Sequence, residues 1–224
     1  MKYRLNALHV IVGISLVSIA VVALMLDVAR KRAKSNLIYS LIPRENPTRP
    51  VNPLLRKAFE YIRTEHIPPG IAIDFGAGYD GVDSAYLLKL GYQVIAIDHV
   101  KEMLQVLASQ KAIYPYRSQL STIVSRFEDL NWTYIPQVDL FIAFYSLSSK
   151  GVKDFPKVWN HIVAHIKPGG FFVGDLPPLP KNDLLKLFDN FEIMYFDKIN
   201  ALLPKRDEEP QENPPYYSAI ARKK

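Results

Sequence analysis

The sequence predicts an α/β fold: a doubly wound, mostly parallel sheet of seven strands, preceded by one N-terminal transmembrane helix. Three observations carry this expectation. Short apolar runs alternate with helical patterns from Gly70 onward, the first run ends in a glycine-rich turn, and Leu8 to Leu26 is apolar apart from His9, two serines and a glycine.

The apolar segment is close to the roughly 20 residues that cross a bilayer's hydrocarbon core as a helix. A cleaved signal peptide carries an apolar stretch of roughly 7 to 15 residues and a small-x-small site. Nothing after Leu26 supplies a convincing one, so a retained anchor is expected over cleavage. The cluster Arg30, Lys31, Arg32 and Lys34 outweighs Lys2, Arg4 and the amino terminus, which places the C-terminal body in the cytoplasm. Contact of the same cluster with anionic head groups leads to the same side. Residues 1–34 thus read as anchor and basic flank. Residues 35–53, with Pro43, Pro47, Pro50 and Pro53, read as a proline-rich linker, and residues 54–224 as the folded domain.

The formal net charge of +6 is concentrated in that N-terminal segment and leaves the body close to neutral. A nucleic-acid partner needs Lys and Arg gathered on a folded face, so none is expected. The hydrophobic fraction of 49% and charged fraction of 22% are those of an ordinary globular chain. The absence of cysteine excludes a disulfide framework, a thiolate metal site and a cysteine nucleophile.

Within the body, Leu54, Leu55, Ala58, Phe59 and Ile62 recur at helical spacing, giving a leading helix from Leu54 to Thr64 that stops before Pro68, Pro69 and Gly70. The alternation follows: strand Ile71 to Phe75, helix Asp83 to Leu90, strand Gln93 to Ile97, helix Lys101 to Tyr114, strands Ser121 to Ser125 and Val138 to Phe144. A helix from Lys153 to Ile166 leads into strand Phe171 to Gly174, and two more strands are expected at Phe191 to Phe196 and Tyr217 to Ala221, after a polar, proline-rich stretch from Leu203 to Pro215. Such alternation implies a parallel sheet with helices on both faces, whose ligand lies at the carboxyl ends of the strands where strand order reverses.

That rule directs attention to the ends of the first, second and fourth strands. The first ends in Asp74-Phe75-Gly76-Ala77-Gly78-Tyr79-Asp80-Gly81, where Gly76 and Gly78 let backbone approach a ligand and turn sharply into the next helix. The turn alone fits a dinucleotide pyrophosphate as well as an adenosyl-amino acid. Asp74, just before the glycines, favours a cationic ammonium group, such as that of S-adenosylmethionine, and repels a pyrophosphate. Asp98, at the end of the second strand, can accept two hydrogen bonds from ribose hydroxyls in either nucleotide class.

Three stretches, Ala72-Ile73-Asp74-Phe75-Gly76-Ala77-Gly78, Ala96-Ile97-Asp98-His99 through Met103-Leu104, and Ile166-Lys167-Pro168-Gly169-Gly170-Phe171, resemble successive signatures of the class I methyltransferases dependent on S-adenosylmethionine, in the family's order and spacing. The resemblance runs from about Leu54 to the C-terminus. It implies a Rossmann-like sheet and S-adenosylmethionine as cofactor, with Asp74, Gly76, Ala77 and Gly78 flanking the methionine moiety, Asp98 holding the ribose, and His99 and Met103 near the adenine. It also implies an adenine contact from the segment Arg126 to Leu130, where Phe127 or Glu128 would border the ring, and a methyl-transfer site lined by Phe144 and Tyr145. A second, weaker resemblance, through Ser218 to Lys224 and a short segment between the fifth and sixth strands, is to the tellurite-resistance subgroup. The chain departs from that subgroup in its anchor, in Asp80 before Gly81 and in the proline-rich stretch, which leaves an oxyanion substrate open.

A sulfonium methyl group is already electrophilic, so holding donor and acceptor in line supplies much of the rate and no universal catalytic residue is expected. His99 and Tyr145 are the candidates to assist an acceptor that must lose a proton. Few elements interrupt the core strands, which points to a small-molecule acceptor or a lipid-like one, such as a quinone, delivered by the membrane. His161 and His165 stand four apart, a spacing zinc can use, but no third ligand accompanies them and a structural or surface role is expected, with no metal. Trp132 and Trp159 read as packing residues. Two rival readings are an NAD-dependent oxidoreductase using Gly76 to Gly81, opposed by Asp74 and the Lys167–Gly170 turn, and a non-catalytic membrane-tethered interaction module.

Overall fold

Asn52 starts the folded body in this computed structural model, which describes residues 49–147, 152, 154–199 and 216–224. Its side-chain oxygen accepts a hydrogen bond from Leu54 N at 2.9 Å, Pro53 fills the first helical turn, and helix α1 (Pro53–Thr64) follows. The apolar spacing buries Leu55, Ala58, Phe59 and Ile62 on one face.

The chain then lays down β1 (Ile71–Phe75), α2 (Val82–Lys89), β2 (Gln93–Asp98), α3 (Lys101–Ser109), β3 (Leu120–Val124), β4 (Val138–Ala143), α4 (Phe155–His165), β5 (Ile166–Leu176), α5 (Lys181–Lys186), β6 (Phe191–Ile199) and β7 (Tyr216–Lys223). The strands form one sheet in the order β3-β2-β1-β4-β5-β7-β6, in which only β7 runs against its neighbours. Strand order reverses between β1 and β4, so the crevice beyond their carboxyl ends is the place for a ligand.

Alternate residues of each strand point to opposite faces, and two cores result. On one side Ala72, Val94, Ala96, Leu140 and Val173 pack against α1, α2 and α3. On the other, Ile73, Phe75, Phe141 and Phe172 pack against Trp159 and Ile162 of α4 and Leu184 of α5. Trp132 and Trp159 are both buried in this second core.

Some element bounds differ from the sequence reading for identifiable reasons. Helix α3 stops at Ser109 rather than Tyr114, because Gln110 is extended (φ −61°, ψ 136°) and a separate 3-10 turn, Tyr114–Gln119, carries the chain to β3. Helix α4 starts at Phe155, with Pro156 in its first turn. Strand β5 begins at Ile166, five residues early: Ile166 pairs with Val138 and Phe171 with Leu140, so Lys167-Pro168-Gly169-Gly170 bulges out between two paired stretches.

The apolar segment 8–26, its basic flank and the stretch Leu203 to Pro215 lie outside the described residues, as does all of the linker before Arg49. Among the described residues no helix is long and apolar enough to cross a membrane.

Candidate functional site

A cavity of about 450 Å³ opens at the reversal point, lined by the end of β1, the glycine turn, the end of β2, Phe127, and the segment after β4. Its size is that of a small-molecule or cofactor pocket.

The glycine turn owes its shape to β2. The amides of Gly76 and Ala77 both donate to Ile97 O, at 2.8 and 3.1 Å, and Gly78 N donates to Asp98 Oδ2 at 3.0 Å. Gly76 has φ +87° and packs so closely that a Cβ there would lie 2.4 Å from Ser146 Cβ; only glycine meets both conditions. At Gly78 (φ +63°) the space beside the backbone is open instead.

Asp74 stands at the floor, 6% exposed, with Ser84 Oγ donating to its Oδ2 at 2.6 Å. Burial pushes its carboxyl up to about 7, the Ser84 bond opposes this, nearby Asp83 and Asp80 add to the rise, and Arg49 opposes it. A buried carboxylate poised near neutrality is a receiver for a cation, which would replace the solvation that burial removes. Asp98 is also buried, and its two oxygens accept from the backbone amides of Gly78 and Val100. A carboxylate has about four lone-pair sites, so roughly two remain for hydroxyl donors. His99 sits at the lip, its Nδ1 3.4 Å from Asp98 Oδ1.

The opposite wall is aromatic and apolar. Phe127 stacks on Phe75 with centroids 3.9 Å apart and presents a flat surface suited to a planar ring. Phe144, Tyr145 and Ser146 close the far end. Tyr145 is left-handed (φ +54°), 58% exposed, and hydrogen-bonds through its side chain to Tyr216.

Of the residues singled out in the sequence, Asp74, Gly76, Ala77, Gly78, Asp98, His99, Phe127, Phe144 and Tyr145 meet around one cavity. Met103, half-buried on α3, and Glu128, half-buried in the loop after β3, are not part of its lining. In that loop it is the Phe127 ring, drawn inward by Phe75, that reaches the cavity. Arg49, Tyr79, Asp80, Asp83 and Ser146 also line it, and none of them was assigned a site role from the sequence. Arg49 in particular belongs to the stretch read as linker, yet it donates to Asp80 Oδ1 and Asp83 Oδ2, each at 2.9 Å. His165 lies away from the cavity with both ring nitrogens on carbonyl oxygens, those of His161 and Trp132, and His161 stacks on Trp132.

Residues 73–174 match the family model described as a methyltransferase domain. That match spans a little under half of the chain. S-adenosylmethionine is the cofactor that this similarity implies, and the residues present suit it: a carboxylate floor for an ammonium group, spare lone pairs on Asp98 for hydroxyls, and an aromatic wall. Comparison of structures agrees on the fold. TehB from Haemophilus influenzae is 21% identical, with a TM-score of 0.61, over 75% of this chain and 62% of that one. This chain thus spans less than two thirds of TehB's length. The 1,6-didemethyltoxoflavin-N1-methyltransferase of Burkholderia thailandensis, solved with its substrate and S-adenosylhomocysteine, is 17% identical with a TM-score of 0.52, over 76% of this chain and 78% of that one. An rRNA methylase from Streptococcus thermophilus is 15% identical with a TM-score of 0.51, over 77% and 98%. Neighbours acting on such different acceptors show that the shared fold does not select the acceptor. A search of curated proteins by sequence finds no match.

Proposed function

We propose that this chain transfers a methyl group from S-adenosylmethionine to a small-molecule or membrane-associated acceptor, and that residues 8–26 anchor it with the domain in the cytoplasm. The observation that carries the catalytic part is Asp74, a buried carboxylate beneath the glycine turn of a cavity at the strand-order reversal. A pyrophosphate would be repelled there, and an ammonium group is favoured. The short connections between the core strands support a small acceptor, and the near-neutral body argues against a polyanionic one.

When bound, the cofactor supplies an electrophilic methyl group on a sulfonium. The chain's own contribution is placement. Asp74 holds the amino-acid end, Asp98 the ribose, and Phe127 the flat face of the adenine, which leaves Phe144 and Tyr145 at the end where an acceptor enters. Fixing two reactants in line removes much of the entropic part of a bimolecular barrier, so binding geometry can carry the reaction with little acid–base help. For an acceptor that must lose a proton, His99 and Tyr145, both on the cavity wall, are the candidates to take it.

Calorimetric titration of the full chain with S-adenosylmethionine, and separately with NAD, tests the cofactor. Binding of the sulfonium compound alone, lost in Asp74→Ala, is expected; binding of NAD instead would overturn the reading. Sedimentation with membranes after carbonate washing, lost on removal of residues 1–34, tests the anchor.

A further inference from the structure

The segment that leaves β5 at the acceptor end of the cavity is apolar and faces outward. Leu176-Pro177-Pro178-Leu179-Pro180 carries no polar side chain; Leu176 is buried, Pro177 half-buried, and Pro178, Leu179 and Pro180 are exposed. A single exposed leucine is ordinary on a protein surface. Here three consecutive apolar residues stand out together beside an exposed tyrosine ring, since the Tyr145 amide is bonded to Asp175, two residues before Pro177.

The backbone of this loop fits the same surroundings as its side chains. Proline has no N–H, so Pro177, Pro178 and Pro180 have no donor to lose, and the Leu179 amide donates to Pro177 O at 2.8 Å. Pro180 O is engaged as well, accepting from Asp183 N and Leu184 N of α5 at 3.0 and 3.1 Å. A loop pays for leaving water chiefly through backbone groups left unpaired. This one can do so with every N–H accounted for, and Lys181, the exposed residue that follows, can keep its ammonium at a charged head group.

The chain preceding the described residues indicates what covers the loop. Residues 1–48 join the body at the same end of the sheet, because Arg49 pairs with Asp80 in the turn after β1, on the cavity wall. Only 22 residues separate Arg49 from Leu26, the last residue of the apolar segment. A tether attached at the carboxyl ends of the strands lets that end meet a bilayer without the linker passing around the domain.

We propose that residues 177–180, with the Tyr145 ring beside them, form a membrane-docking loop that seats in the interface of the bilayer holding residues 8–26. This rests on the anchor reading above. Tyrosine and lysine suit that depth, where surface-bound amphipathic elements sink about 5–10 Å, to the boundary between head groups and acyl chains. The cavity mouth then opens onto lipid. Of the two acceptor classes above, it is the membrane-associated one, an amphiphile dissolved in the bilayer, that reaches Phe144 and Tyr145 without crossing water.

The chain has no cysteine, so one introduced cysteine carries one label. Leu179→Cys and Tyr134→Cys, each bearing an environment-sensitive fluorophore, are compared in the full chain reconstituted into phosphatidylcholine–phosphatidylglycerol vesicles, with nitroxide-bearing lipids as quenchers. Tyr134 is the control: it is 81% exposed and precedes β4, at the other end of the sheet. Several-fold stronger quenching at position 179, with blue-shifted emission, is expected. Equal quenching at the two positions, or stronger quenching at 134, would overturn the docking loop and leave the anchor standing. A full chain that does not float with the vesicles would remove the anchor and the loop together. Insertion is separated from mere closeness by a label on Pro178→Cys, with and without Leu179→Asp. The charge should expel the loop and relieve the quenching several-fold; unchanged quenching would mean that the tether alone holds the loop near lipid, and the docking role would fall.

Discussion

Tyr145 N donates a 2.9 Å hydrogen bond to Asp175 Oδ2, and this bond holds a tyrosine in the left-handed conformation at the edge of the cavity. Asp175 is buried on β5, and its other oxygen accepts from Ser218 Oγ at 2.6 Å across the β5–β7 pair. Burial raises the Asp175 carboxyl, while the two hydrogen bonds hold it down. Asp175→Ala leaves a backbone amide and a hydroxyl without their acceptor, each costing about 1–3 kcal/mol, and should lower stability by about 2–5 kcal/mol in urea titration. Asp175→Asn should cost about 1 kcal/mol or less. Its amide oxygen can still accept from Tyr145 N, and the Ser218 hydroxyl can rotate to accept from the new NH2.

The same relationship makes Tyr145 a residue kept against backbone preference. A left-handed conformation costs a non-glycine residue about 1–2 kcal/mol, and its ring is 58% exposed, so little burial offsets that cost. Tyr145→Gly should therefore leave the unfolding midpoint almost unchanged while lowering turnover of any acceptor found. Unchanged turnover would remove Tyr145 from the acceptor end.

Asp74 makes cofactor binding depend on pH. The free protein holds this carboxyl protonated below about pH 7, and an ammonium group binds the ionised form, so binding must displace a proton in that range. Affinity for S-adenosylmethionine should rise up to about tenfold per pH unit toward pH 7 and level off above it. It should fall again above about pH 8, where an α-amino group loses its charge. Stability of the free protein runs the other way. Between the unfolded value near 3.8 and the folded value of about 7, the folded state binds the extra proton, so stability from this group falls as pH rises through that window. Asp74→Asn should abolish the pH dependence of binding together with binding itself, and should raise the unfolding temperature at pH 8 more than at pH 5.

Most of the fold was legible because its signals are local. The strand ends at Phe75 and near Asp98 follow from apolar runs that stop at a glycine turn and at a charged residue, and the doubly wound order follows from the alternation. The extra length of β5 was not legible: a bulge of Lys167-Pro168-Gly169-Gly170 reads as a turn, since the pairing of Ile166 with Val138 is a long-range fact. The site divides in the same way. Asp74, Asp98 and the glycines announce themselves by position in a motif, whereas Arg49 is placed by ion pairs to Asp80 and Asp83, 31 and 34 residues away, that no periodicity encodes. Met103, Phe127 and Glu128 were inferred from where a family puts its adenine contacts; of the three, Phe127 lines the cavity, its ring stacked on Phe75.

Asp139 braces the start of the sheet from outside the cavity. Its Oδ2 accepts from Ile71 N at 2.8 Å, and Lys167 Nζ of the β5 bulge lies 2.9 Å from its Oδ1. The Lys167 ion pair is partly solvated, and Lys167→Ala should cost no more than about 1 kcal/mol. Asp139→Ala also strips the β1 amide of its acceptor and should cost about 2 kcal/mol. Equal losses for the two variants would mean that the ion pair, not the amide bond, does the bracing.

Two glycines of one turn should respond differently to the same substitution. At Gly76, alanine meets a strained φ of +87° and a Cβ only 2.4 Å from Ser146 Cβ, so strain and overpacking combine. A loss of about 2–5 kcal/mol is expected, a large share of the roughly 5–15 kcal/mol that holds a domain of this kind together. At Gly78, alanine meets φ +63° but open space, and only the conformational cost of about 1–2 kcal/mol applies. Gly78→Ala should therefore fold, with its unfolding midpoint a few degrees lower, and become the informative variant for binding. Its added methyl group stands beside the amide that donates to Asp98 Oδ2, where close approach of a ligand to backbone is what the glycine permits. Weaker binding of S-adenosylmethionine by folded Gly78→Ala is the expected result. Binding at wild-type strength would show that the ligand keeps its distance from this turn, and the Gly78 conformation would then serve only the hydrogen bond to Asp98.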